Sequence, residues 1–373
     1  MVACRINISS DVLVWAVERA GNDVSRYSEE NVKFRSWMEG TRKPTWNELQ
    51  KFAQKFYVPL GYLLLPNPPE ESSTIPLFRS ANDKKMELNI RDAVKSMEEK
   101  QDWLADYLQS QGFGKLDYVG IYNESSPVDE VCRKIREILH LPVNWAFEYK
   151  KVEDALNYLT RVIEDKGVVV CFNSVVGFNN SRPIPVNDCR GFALVNEYAP
   201  FVFVNSKDAK SAQVFTLIHE FAHVLTGYSA GIGGNENITH TSPLEKLCDQ
   251  VAASLLVSAE LLKEEWAKVG ENYSVLAKMF KVSRFVIARR AKEIGLISSA
   301  HYFALYKQWM EEPVHTAGQS SGGQFYATAI KKCSRTFLIH LDNALSSFKI
   351  SNMDAYRLAG LKGDTFRQVI SKI

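Results

Sequence analysis

Phe215-Thr216-Leu217-Ile218-His219-Glu220-Phe221-Ala222-His223-Val224-Leu225 is the stretch on which the reading of this chain turns. It predicts an apolar helix with two imidazoles four residues apart. Positions i and i+4 stack on one helix face, so His219 and His223 can aim ring nitrogens at a single ion. Glu220 adjoins the first histidine, close enough to act on a water held by the ion without binding the ion itself. Zinc lowers the pKa of such a water, and a carboxylate takes its proton as the hydroxide attacks a carbonyl. That is the chemistry behind an HExxH pattern. Two histidines at this spacing also occur as ordinary core or surface residues, but the chain has only seven.

A catalytic zinc takes three protein ligands and keeps one position open, so the third ligand must come from elsewhere. Glu245, in Glu245-Lys246-Leu247-Cys248-Asp249, is the best candidate. It follows a Gly/Asn-rich loop, YSAGIGGNENITHTS, that lets a second helix fold back across the first. Asp249 is one turn further on and can accept a hydrogen bond from a ligating histidine, fixing its tautomer. Two histidines and a glutamate suit Mn2+ as well as Zn2+. Tyr228 and His240 lie in the loop, as oxyanion stabilisers or as plain loop residues.

Working outward, GVVVCF (167–172), GFALV (191–195) and FVFVN (201–205) are short β-rich runs divided by Asn, Gly and Pro clusters. They predict a small antiparallel sheet. SAQVFTLIHEFAHVLTG is one helix closed by Gly227, and LEKLCDQVAASLLVSAELLKEEWAKV is one long helix or two. Before the sheet, apolar periodicity predicts helices at about 90–111, 128–140 and 151–165. The expected fold class is α+β and mostly helical, a zincin-like core of HExxH helix plus small sheet flanked by helical domains. The expected division is 1–69, 70–150, 151–265, 266–300 and 301–373. LPNPPEESSTIP (65–76) reads as a linker, and TAGQSSGG (316–323) as a flexible loop.

Bulk properties narrow the class. A hydrophobic content of 46% over 373 residues excludes a disordered chain. The net charge of +2 selects no partner class, so nucleic-acid binding would need a local basic surface. Six scattered cysteines form no CxxC pair and read as reduced thiols. With no apolar signal region at the N-terminus and no run long enough for a membrane helix, a cytoplasmic protein with no membrane partner is expected.

Around the motif the chain resembles the ImmA/IrrE-type metallopeptidases, zinc-dependent proteins linked to the cleavage of helix-turn-helix repressors. The resemblance runs from about Arg190 to Leu262. It rests on Arg190-Gly191-Phe192, Pro200, Asn205, Phe215-Thr216, HEFAH and EKLCDQVAASLLV. It implies ligands at His219, His223 and Glu245 and a general base at Glu220. Ser258 stands where the family commonly has proline, and Asp249 where some relatives have asparagine.

The first 65 residues resemble a Cro/repressor-type helix-turn-helix domain. The resemblance lies in Val12, Leu13, Ala16, Trp37-Met38-Glu39-Gly40, Pro44-Thr45, Leu49, Phe52-Ala53 and Val58-Pro59. It implies a recognition helix at about Val32 to Met38, with Lys33, Arg35, Arg42 and Lys43 as candidate DNA contacts. Residues 1–69 hold nine Lys+Arg against seven Asp+Glu, a weak basic field, so a five-helix module for protein contacts or dimerisation is the competing reading. Residues 274–297, with Arg284, Arg289, Arg290 and Lys292, scan either as a second helix-turn-helix or as helices packed on the peptidase core. ISNMDAYRLAGLKGDTF (350–366) is a weaker third instance.

The expected function is therefore a zinc peptidase acting on a regulatory protein, such as a repressor or a toxin-system partner. The alternative is a DNA-binding regulator or antitoxin-like protein whose metal site is structural or sensory. The two coexist if the N-terminal domain carries the peptidase to a DNA-bound target.

Overall fold

The computed structural model describes residues 5–70, 84–232, 242–312 and 325–373. Half of the 65–76 linker, the 316–323 loop, Cys4 and His240 lie outside the described residues. The chain divides into two compact units, Met1–Val94 and Lys95–Ile373.

In the smaller unit, α1 (Ser10–Arg19), α2 (Val24–Glu30), α3 (Val32–Met38), α4 (Trp46–Phe56) and a 3-10 turn at Leu60–Leu64 precede the start of α5 (Lys84–Ser110). Val12, Leu13, Ala16 and Val17 are the buried face of α1, as their spacing predicts. Leu49, Phe52, Ala53 and Phe56 are the buried face of α4. Tyr27, Phe34, Phe52 and Phe56 meet at ring-centroid distances of 4.7–5.8 Å. A capping box starts α4: the Thr45 side chain accepts from the Glu48 N–H while Glu48 accepts from the Thr45 N–H.

In the larger unit, α6 (Val128–Leu139) and α7 (Val152–Glu164) lead into β1 (Val169–Asn173). A two-stranded ribbon, β2 (Val175–Val176) and β3 (Asn179–Pro183), then precedes β4 (Gly191–Leu194) and β5 (Phe201–Asn205). Next come α8 (Lys210–Thr226), β6 (Ala230–Ile232), α9 (Pro243–Leu256), α10 (Ala259–Val269), α11 (Tyr273–Phe280) and α12 (Arg284–Glu293). The chain closes with α13 (Ser299–Glu311), α14 (Phe325–Cys333), α15 (Arg335–Ser346), α16 (Asn352–Ala359) and α17 (Gly363–Ile370). The mostly helical α+β class is as expected.

The sheet corrects the sequence reading. Its order is β1-β5-β4-β6, and it is mixed rather than antiparallel. β4 runs antiparallel to both neighbours, but β1 lies parallel to β5, Val169 opposite Phe201 through Asn173 opposite Asn205. The chain reverses twice between β1 and β5, so the two strands point the same way and pair at long range. β1 and β5 are buried along their whole length, as strands covered on both faces are. The Gly/Asn-rich stretch after α8 also contains β6, which the sequence reading assigned entirely to a loop.

Helix α8 packs on this sheet and is buried almost all round from Gln213 to Thr226, which explains why its sequence is apolar on every side. Gly227 ends it in the left-handed conformation (φ 79°) and approaches Gly120 so closely that a Cβ there would meet the Gly120 Cα at 3.0 Å. Helices α9 and α10 are separate. Val257 ends the first, and the Ser258 side chain caps the second by accepting from the Leu261 N–H at 3.3 Å. The C-terminal carbonyls of α9 are bound from outside: Leu255 O by Arg136 Nη2 at 2.6 Å and Val257 O by Arg290 Nε at 3.0 Å. Gln101 donates to Leu194 O and Ala199 O at 2.7 and 2.8 Å, fixing the turn between β4 and β5.

Candidate metal centre

Helix α8 brings its two imidazoles to one point. His219 Nε2 and His223 Nε2 lie 3.1 Å apart. Glu245 arrives from α9, with Oε2 at 3.2 Å from His219 Nε2 and Oε1 at 3.4 Å from His223 Nε2. Two ligands bound to zinc at about 2.0–2.1 Å in a tetrahedral arrangement stand about 3.3 Å apart, so these edges fit a single ion. Local sequence explains the placement of Glu245. Ser242 precedes the helix, Pro243 starts it, and Glu245 falls in its first turn, where the helix dipole favours a carboxylate.

Asp249 sits one turn along α9, as its spacing predicts. Its Oδ1 lies 3.0 Å from His219 Nδ1, near enough to orient the ring with its Nε2 lone pair toward the cluster. The other Asp249 oxygen accepts from Arg289 Nη1 of α12 at 3.3 Å. Both histidines and Glu220 are fully buried, and the Glu245 side chain is 19% exposed.

The donor set suits a cation. Both Glu220 oxygens and His223 Nδ1 are buried and lack a hydrogen-bond partner among the described residues. Buried polar atoms in that state point to something outside the chain that completes them. Burial pushes the Glu220 carboxyl well above the usual range, and nearby Glu245 adds to the shift. Burial works against a charge on His219, but its contacts with Asp249 and Glu245 win and push it up to about 10. On His223 burial prevails and lowers its pKa. Burial also opposes charge on Glu245, yet its two histidine partners hold it well below the usual carboxylate range.

Gly191 packs beside the cluster, a placement that the chemistry of the motif alone does not reveal. A Cβ on it would stand 2.5 Å from Thr216 Cγ2, 2.8 Å from the Phe203 carbonyl oxygen and 3.0 Å from Glu220 Oε1. The missing side chain lets α8 lie directly on β4 and leaves room for Glu220. The only sequence signal was its place in the Arg190-Gly191-Phe192 triplet.

Residues 163–292 match the Peptidase_M78 family model, described as IrrE N-terminal-like domain. The match supports a metallopeptidase-family assignment, and the family is generally zinc-dependent. It covers about a third of the chain and contains His219, Glu220, His223, Glu245, Asp249 and Arg289. No curated protein matches the chain.

The other candidate residues are placed as follows. Lys33 and Arg42 both pair with Glu48, at 3.3 and 2.7 Å. Arg35 donates to the Ser28 and Glu29 carbonyls near the end of α2. Lys43 is exposed. Asn31 alone separates α2 from α3, less than the three or four residues of a helix-turn-helix turn. In the 274–297 segment the basic groups are partly exposed and lie against neighbouring parts of the chain. Arg284 lies over Trp309 at 4.8 Å, Lys292 over Tyr302 at 4.8 Å, and Arg289 and Arg290 reach α9. Of the oxyanion candidates, Tyr228 is 59% exposed and His240 is outside the described residues. Cys132, Cys171, Cys189, Cys248 and Cys333 are buried and unbonded. Among the described residues no helix is long and apolar enough to cross a membrane.

Proposed function

We propose that this protein is a zinc-dependent endopeptidase that cleaves a regulatory protein, such as a repressor or a toxin-system partner. The observation that carries the reading is the convergence of His219, His223 and Glu245 on one point, with a buried and unpartnered Glu220 beside them. The three residues would hold Zn2+, or Mn2+ in its place. A bound dication supplies Lewis acidity, which makes water nucleophilic at neutral pH.

The chain's own residues do the rest. Glu220 accepts the proton of the attacking water on a carboxylate oxygen and passes it to the amine that leaves. Its burial raises its proton affinity, which suits a group that must take up a proton and then release it. Asp249 holds His219 in the tautomer with Nδ1 protonated. Gly191 keeps the space beside Glu220 clear. The smaller unit serves to recruit the protein substrate, since three of its four candidate DNA-contacting side chains already have partners within the unit.

The test is Glu220→Gln in the full chain, assayed for metal content and for cleavage of proteins that co-purify with it. The variant should keep its zinc and lose cleavage. Cleavage at the wild-type rate would refute the role given to Glu220.

A further inference from the structure

Helices α11 and α12 account for the stretch that scans as a helix-turn-helix, yet two arginines of α12, Arg289 and Arg290, reach across to α9 and its C-terminal end. Arg289 Nη1 reaches Asp249 Oδ2 at 3.3 Å, while Asp249 Oδ1 lies 3.0 Å from His219 Nδ1. Behind Arg289, Glu293 accepts from Arg289 Nε at 3.3 Å and from Arg290 Nη1 at 3.1 Å. Arg290 in turn donates to Val257 O at the end of α9. A continuous row of polar contacts therefore runs from α12 through Asp249 to the His219 ring.

Two physical points give that row a purpose. A carboxylate that orients a ligand imidazole does so only if its own rotamer is held, and the Asp249 side chain is 10% exposed, where few waters can hold it. A guanidinium is always charged, and its rigid fork of donors fixes direction as well as charge. Glu293 fixes that fork from behind, so the guanidinium is aimed before any metal arrives.

We propose that Arg289 is a positioning residue of the metal centre, clamping Asp249 so that Asp249 aims the His219 imidazole at the ion. The α11–α12 pair is then a brace for the site. This rests on the zinc-site reading above and extends it to a helix that supplies no ligand.

The test compares the full-length wild type with Arg289→Met, Arg289→Lys, Asp249→Asn and the double variant Arg289→Met/Asp249→Asn. Zinc affinity is read by chelator competition, and the visible spectrum of the Co2+-substituted protein reports ligand geometry. Loss of such outer contacts typically weakens metal binding roughly 10–100-fold, so Arg289→Met should fall in that range and shift the Co2+ bands. Arg289→Lys keeps the charge and should recover part of the affinity. Because Arg289 acts through Asp249, the double variant should bind zinc no more weakly than Asp249→Asn alone. Arg284→Met, on the same helix but directed at Trp309, should bind zinc as the wild type does.

Wild-type affinity and an unchanged Co2+ spectrum in Arg289→Met would overturn the inference while leaving the zinc site intact. Additive losses in the double variant would also overturn it, since they would make Arg289 a general packing contact. A wild-type protein that takes up no zinc would sink the zinc-site reading and this inference together.

Discussion

Gly191→Ala is the substitution whose cost follows most directly from the geometry. Gly191 does not have a positive φ, so the alanine backbone is unstrained and the penalty is steric. The added methyl would lie 2.5 Å from Thr216 Cγ2 and 2.8 Å from the Phe203 carbonyl oxygen. Carbon atoms in contact rest about 3.5–4.0 Å apart, so the worst overlap is about 1 Å. Overpacking of this kind costs about 1–3 kcal/mol. The Phe203 oxygen belongs to the backbone of β5 and cannot rotate away, which places the cost at about 2–3 kcal/mol, in the upper part of that range. At about 2–4 °C per kcal/mol, the transition of the larger unit should fall by about 4–12 °C. Calorimetry of the full chain measures this, with the transition of the smaller unit as an internal reference. Adding Thr216→Ser removes the closest atom and should restore part of the loss. A transition of the larger unit that Gly191→Ala leaves unmoved would refute the close seating of α8 on β4.

Zinc at one hundred times its dissociation constant stabilises a protein by about 2.7 kcal/mol. Saturating zinc should therefore raise the larger unit's melting temperature by about 5–10 °C. Glu245→Ala should abolish that rise and the bound metal, as read by metal analysis and melting with and without chelator. Glu48 is held down to about 2, chiefly by the Thr45 N–H, with Lys33 and Arg42 also lowering it. A depressed carboxyl stabilises the fold above its unfolded pKa, and that stability fades as pH falls from about 4.3 toward the folded value. Glu48→Gln should thus cost the smaller unit about 1 kcal/mol at neutral pH, by analogy with a lost cap. In melting curves the gap from wild type should shrink as pH falls below about 4 and be mostly gone near pH 2, the direction a depressed carboxyl requires. Gln101→Ala leaves the carbonyls of Leu194 and Ala199 without that donor and should cost about 1–3 kcal/mol in urea unfolding.

The candidate metal cluster was legible in the sequence because each helix's contribution to it is local. The i, i+4 spacing of His219 and His223 and the one-turn step from Glu245 to Asp249 depend only on helical periodicity, and both helices form where the pattern places them. The sheet was less legible. The β-rich runs marked β1, β4 and β5, but the parallel pairing of β1 with β5 is a long-range choice that no local pattern encodes. β6 is only three residues within a glycine-rich stretch and carries almost no periodicity. The basic residues of α3 and α12 show the same limit. Their charge was visible, but whether it faces solvent or an internal partner depends on Glu48 and Asp249, which are distant or off-register in sequence.

The arginines at the C-terminal end of α9 bear on how a metal would be exchanged at the proposed site. Arg136 and Arg290 hold that end of the helix, while Glu245 sits at the other, so the proposed ligand is carried on an arm anchored at its far end. Such an arm stays in register when the ion leaves. Loading and stripping then become a reversible exchange on a standing scaffold, with no refolding step between the two forms. Far-ultraviolet circular dichroism should accordingly be the same with and without zinc, and supply in the cell, more than folding, would set the occupied fraction.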